Sequence, residues 1–227
     1  MTPDIWEALR LSLIVAGRAT AWGLVAALAF AWLLARYRFP GRTLLDALLH
    51  APLILPPVVV GFVLLLLFGT HGPIGGWLDR HFGYRLVFTS AGASLAAGVC
   101  AFPLMLRAVR LAIEGVDPKL EEAARSLGAG PIDRACTITL PIALPGLIAG
   151  AVVGFAAALG EFGAVITFAA NIPGETQTLP LAIYAALQVP GGEAIAMRLS
   201  LVSFAAALVA LLLSEVLLRA GKRAAGR

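Results

Sequence analysis

Four stretches of this chain, 19–35, 51–69, 86–106 and 142–160, contain no charged side chain, and a fifth, 199–218, contains only Glu215. Each is close to the roughly 20 residues a helix needs to cross the hydrocarbon core of a bilayer. A soluble chain would have to bury all five at once. Only 13% of these 227 residues are charged, against about a quarter in a soluble domain, so too few charges remain to coat a water-facing surface. A soluble enzyme, a disordered tail and a basic-faced nucleic-acid binder are excluded. With flanking turns, the five spans are expected at about 19–36, 46–69, 86–107, 142–168 and 197–218. The fold class expected is an all-α polytopic membrane protein, one domain over 1–227, too short for an added soluble catalytic domain.

The segments between spans refine this outline. Residues 3–17 (PDIWEALRLSLIVAG) read as an N-terminal amphipathic helix lying in the interface. They do not read as a signal peptide, because the first charges are Asp4 and Glu7 and no basic region precedes the apolar stretch. Trp22 and Trp32 are expected as interface anchors. Residues 176–192 are uncharged but cut by Pro180 and by Pro190-Gly191-Gly192, so a short helix or re-entrant element on the outer side is expected. Cys100 and Cys136 build no disulfide framework, and His50, His71 and His81 show no metal spacing.

Basic residues set the expected orientation. Arg36, Arg38 and Arg42 follow the first span; Arg107, Arg110, Lys119, Arg125 and Arg134 follow the third; Arg219, Lys222, Arg223 and Arg227 form the tail. Arg80 and Arg85 lie on the other side. Five crossings put all three basic groups on one face, with the N-terminus outside and the C-terminus cytoplasmic.

The loop between the third and fourth spans, 115–141, is the most informative. Asp117-Pro118 is a helix start, an acceptor at the N-cap followed by proline in the first turn. Glu121 and Glu122 favour the positive end of that helix. Ala123, Ala124 and Leu127 continue it, and Gly128 and Gly130 end it. Pro131 starts a second short helix to about Thr139, and Pro141 is expected to break or redirect the chain into the fourth span. Two short helices rigidly joined to a span suit the transmission of force from a soluble partner.

Glu122-Ala123-Ala124, Gly128 and Ile138-Thr139-Leu140-Pro141 stand at the spacing Glu-Ala-Ala, three residues, Gly, nine residues, Ile-x-Leu-Pro. This pattern resembles the signature of permease subunits of bacterial type I ABC importers. Phe39-Pro40-Gly41, LLDALLHAPLILPPVVVG, Leu104 to Glu114, Gly160 to Ala164 and Asn171 to Thr176 resemble the molybdate-permease branch. They resemble the sulfate/thiosulfate and tungstate branches less closely. The resemblance covers about 10–219. It implies the type I permease fold and a coupling helix, carried by Glu121, Glu122, Ala123, Ala124, Gly128, Ile138, Leu140 and Pro141, that docks on a cytoplasmic ATPase subunit. It also implies a periplasmic substrate-binding protein and an inner-membrane location. Molybdate as the substrate rests on this resemblance alone.

Pathway candidates come from unusual residues at membrane depth. Pro56 and Pro57 remove two amide donors and, with Gly61, form either a gate or a packing kink. Glu161, beside Phe162 and Gly163, is an acid inside a long apolar stretch. It is expected either to partner Arg18 or Arg198, to sit near an outer gate, or to touch substrate. Arg18 and Arg198 themselves read as snorkelling residues or as anion attractors. Gly154, Gly160 and Gly163 fit close helix contacts.

The leading function is transport, as half of a pathway completed by a second copy of the chain, since five spans and one coupling motif show no internal repeat. No GxxxxGK[ST] loop is present, so no cofactor is expected here and ATP belongs to the partner subunit. An intramembrane enzyme lacks a catalytic constellation, and a passive channel leaves the coupling loop unexplained. The chain is therefore not expected to be an enzyme.

Overall fold

The computed structural model describes residues 5–224, with side chains through residue 210 and at Leu212. Glu215 and the basic tail used for orientation (Arg219, Lys222, Arg223, Arg227) lie outside the described side chains. Helix α1 runs unbroken over Ile5–Arg36. The expected interfacial helix at 3–17 is therefore not a separate element. The reason is visible in its buried stripe. Ala8, Leu11, Val15, Ala19, Gly23, Ala27, Ala31 and Leu34 recur every three or four residues, so one face stays inward with no change of direction at Gly17. At 1.5 Å per residue this helix is about 48 Å long, more than the hydrocarbon core.

Helices α2 (Arg42–Ile54) and α3 (Pro57–Phe68) share the stretch expected as the second span and are bent by 117° at the break between them. The bend follows from Pro56-Pro57, which can supply no amide hydrogens to an i→i−4 ladder. Ion pairs show where this pair leads. Arg36, ending α1, pairs with Glu121 of the coupling loop. Arg110, near the end of α5 (Ser90–Glu114), pairs with Asp46 of α2 at 3.0 Å. Arg18 of α1 donates to Ser90 Oγ at the start of α5. Thus α1 and α5 both run toward the coupling-loop end, and the chain between them must return to the opposite end. The bent pair crosses as one broken span. Helix α4 (Gly75–Phe82) follows at that opposite end, and Thr89 caps α5 by accepting from Gly92 N–H at 3.1 Å.

After the coupling loop, described below, α8 (Leu140–Leu159) runs antiparallel to α5. Helices α1, α5 and α8 form the core. Met105, fully buried on α5, fills the space above Gly23 of α1 and Gly154 of α8. A Cβ at Gly154 would collide with the Met105 side chain. Trp22 is half-buried and lies against Gly98 of α5. Trp32 sits near its end of α1 with the Arg36 guanidinium 5.7 Å from its ring centre.

The chain breaks at Gly160-Glu161-Phe162, so the stretch expected at 142–168 is α8 followed by α9 (Gly163–Ala169). Helix α10 (Leu179–Leu187) is nine residues long, about 14 Å, too short to cross. Leu179 N–H donates to Ser12 Oγ at 2.7 Å, which places α10 beside the first turns of α1 and away from the coupling loop. Helix α11 (Glu193–Ala224) packs on α10 and α8. Among the described residues four helices are long and apolar enough to cross a membrane, and the bent pair, taken as one span, makes a fifth.

Candidate functional site

The coupling loop is built by three local rules. Asp117 accepts from Lys119 N–H at 2.9 Å and starts α6 (Pro118–Ser126), with Pro118 in the first turn. Gly128 ends it at φ +91°. Ala129 N–H donates to Ala124 O and Gly128 N–H to Arg125 O, at 3.0 and 3.1 Å. This is a Schellman closure, in which the left-handed residue stands four positions after the carbonyl that closes it. The spacing from Ala124 to Gly128 is thus a requirement of the turn. Gly130, by contrast, is extended and caps α7 (Pro131–Arg134).

Pro141 does not break the chain as expected. Helix α7 continues through a π-helical turn, Ala135–Thr139, into α8. Leu140 N–H bonds back five residues to Ala135 O. Widening the turn makes room for the Pro141 ring, which would clash with the carbonyl four residues earlier in an α-helix. Ile138 packs on the core, Leu140 is half-buried and Pro141 is exposed.

The motif residues divide by exposure. Helix α6 has no buried residue. Glu122, Ala123 and Gly128 are exposed, Ala124 is half-buried, and Leu127 and Ile132 are 89% and 80% exposed. Glu121 points the other way. One carboxylate oxygen accepts from Arg36 Nη2 and, at 2.6 Å, from Thr139 Oγ1. In the sequence Arg36 is only one of the basic residues that set orientation, and Thr139 is the variable position between Ile138 and Leu140. The one available signal was a basic residue ending a span opposite an acidic coupling helix.

The pathway candidates also meet in space. Helices α3 and α9 cross closely: a Cβ on Gly163 would lie 2.9 Å from Pro57 Cβ, and one on Gly61 would lie 2.7 Å from Ala164 O. The break at Pro56-Pro57 therefore faces the break at Gly160 to Phe162. Val59 and Val60 N–H groups bond to Pro56 O, and Leu55 N–H to Ala51 O, which closes the turn on each side of the break. Glu161 accepts from Ala164 N–H at 2.8 Å and caps α9. Its expected partners are elsewhere: Arg18 bonds Ser90, and Arg198 is exposed. Phe162 stacks on Tyr184 of α10 at 5.1 Å, a contact the sequence did not signal. Among the described residues no cluster of His, Cys, Asp or Glu could hold a metal ion.

The family described as "Binding-protein-dependent transport system inner membrane component" matches residues 20–223. The "Molybdenum transport system permease protein ModB" of Escherichia coli (strain K12) is 54% identical over 227 residues, covering 100% of this chain and 99% of that relative. The "Sulfate transport system permease protein CysT" of the same strain is 38% identical, over 99% of this chain and 80% of that relative. Among solved structures, a bacterial ABC transporter involved in alginate import aligns with a TM-score of 0.73 at 18% identity, covering 96% of this chain and 78% of that one. This last likeness concerns the fold.

Proposed function

Because the chain belongs to the family of inner membrane components of binding-protein-dependent transport systems, we propose that it forms the pathway of an ATP-driven molybdate importer. It is a multi-pass membrane permease with the type I ABC importer fold, and as a permease subunit it is not itself an enzyme. Two copies would enclose the translocation path. A cytoplasmic ATPase would dock on the exposed face of α6, around Leu120, Glu122, Ala123 and Leu127, and would hold the ATP, leaving this chain without a cofactor. A periplasmic binding protein would deliver the oxyanion at the opposite end, with the N-terminus outside and the C-terminus cytoplasmic. Closure of the ATPase pair would draw the coupling helices together and move the spans from inward-open to outward-open. The close apposition of the breaks at Pro56-Pro57 and Glu161 to Gly163 supports reading them as the gate of that passage. Nucleic acid has no place in this scheme.

One observation carries the substrate: identity to a molybdenum permease along the entire chain exceeds that to a sulfate permease by 54% against 38%. The test is uptake of labelled molybdate into proteoliposomes holding this chain, its ATPase and its binding protein. ATP-dependent uptake resistant to excess sulfate is expected. Uptake blocked by sulfate assigns the sulfate branch, and flux without ATP assigns a channel.

A further inference from the structure

We propose that Glu121 is a positioning residue that makes α1 and the start of α8 follow the coupling helix, while the ATPase engages Glu122. This inference rests on the ATPase-driven reading above. Helix α6 has no fully buried residue, so packing contributes little to its attachment to the bundle. Its flanks are a short link after Val116 and the turn at Gly128 to Gly130. Among the described residues, the one ion pair from α6 to another helix is that of Glu121 with Arg36. The same oxygen accepts from Thr139, which is 0% exposed and ends the π-helical turn. Three elements therefore converge on a single carboxylate: α6 by its backbone, α1 by its last residue, and the entry to α8 by Thr139.

The surroundings make this junction hard to replace. Arg36 Nε is buried without a partner, and the guanidinium rests near the Trp32 ring. A cleft of about 430 Å³ opens beside the junction, bordered by Trp32, Tyr37, Ile132 and Arg134. Loss of the carboxylate would remove the acceptor that Arg36 and buried Thr139 share. The other charged cluster at this end, Arg110 with Asp46 and Glu114, ties α2 to α5 and leaves α6 untouched. Motion of α6 therefore reaches α1 through Glu121. The π-helical turn, with its wider i→i−5 bonding, is the compliant part of the connection to α8.

The experiment uses the full complex in proteoliposomes, with four variants: Glu121→Leu, which has no acceptor for Arg36 or Thr139, Thr139→Val, Arg36→Lys and Glu122→Gln. Anion taken up per ATP hydrolysed is measured. So is the distance between nitroxides at Val25→Cys on α1 and Phe62→Cys on α3, before and after trapping with ATP and vanadate, with Cys100 and Cys136 replaced. Glu121→Leu is expected to keep its bound ATPase and its hydrolysis rate, to lower uptake per ATP about fivefold or more, and to lose the nucleotide-dependent distance change. Thr139→Val should fall between, and Arg36→Lys should retain most coupling. Glu122→Gln should instead reduce the ATPase that co-purifies. Wild-type coupling and motion in Glu121→Leu would overturn the proposal, as would loss of its bound ATPase. If Glu121→Leu does not assemble, unchanged coupling in Thr139→Val overturns it. A wild-type complex that moves and hydrolyses ATP but takes up no molybdate overturns the substrate and leaves the junction standing.

Discussion

Two adjacent glutamates carry opposite assignments because α6 turns by about 100° per residue. Glu122 faces solvent, and Glu121 faces Arg36 and Thr139. In the sequence both are acids in a first turn, and nothing in their spacing separates them. The position of Arg36 at the end of α1 and the burial of Thr139 do. Gly128 is the opposite case, legible from sequence and realised at φ +91°. Gly128→Asp forces a β-carbon into the left-handed region at a cost of about 1–2 kcal/mol and opens the Schellman closure. We expect inserted protein at normal levels with ATP hydrolysis no longer stimulated by loaded binding protein; normal stimulation would show that α6 docks without this turn. Glu161 caps α9 instead of pairing with an arginine. Glu161→Ala should cost about 1 kcal/mol of stability, read as a lowered melting temperature in detergent, whereas Glu161→Gln, which keeps an acceptor oxygen, should lose less.

At the scale of elements, proline and glycine act through neighbours the sequence does not name. Pro56-Pro57 announced a break, but neither its 117° size nor the close approach of α3 to α9 at Gly61 and Gly163 was legible. Pro141 announced a break that tertiary context turned into a π-helical turn, since continuing into α8 keeps Ile138 on the core. Pro141→Ala removes the reason for the wide turn. The segment 131–139 should then rewind by about one residue, some 100°, carrying Thr139 away from Glu121. Reduced uptake per ATP with intact insertion is expected, and an unaltered ratio would mean the turn is fixed by other contacts. Gly154→Val would drive a β-branched side chain into Met105, where α1, α5 and α8 meet. A loss of about 1–3 kcal/mol should appear as a lower melting temperature of the purified subunit.

Across the whole molecule, the two ends of the bundle differ in chemistry. Arg36, Arg110, Lys119, Arg125 and Arg134 gather at the coupling-loop end, and α4, α10 and the start of α1 lie at the other. Cys136 is exposed in the π-helical turn and Cys100 is half-buried in α5, which supplies a native probe of orientation. In cells making this chain without its ATPase, a membrane-impermeant maleimide should label Cys136 in inside-out vesicles and not in spheroplasts. Labelling in spheroplasts would reverse the topology.

The amino-acid sequence by itself determined that the chain is a multi-pass membrane protein, about where its long apolar helices lie, and where α6 starts and stops. These depend on local quantities: charge density, the length of apolar runs, and the φ values open to proline and glycine. The tertiary structure alone decided that residues 5–36 are one helix, that Trp22 lies against Gly98, that the breaks in α2–α3 and α8–α9 face one another, and that Glu121 pairs with Arg36 at the end of α1. Each of these joins residues far apart in the chain, and the composition of either partner carries no record of the other. A carboxylate is free or committed according to what the fold places within 3 Å of it, and for Glu121 that is an arginine 85 residues away.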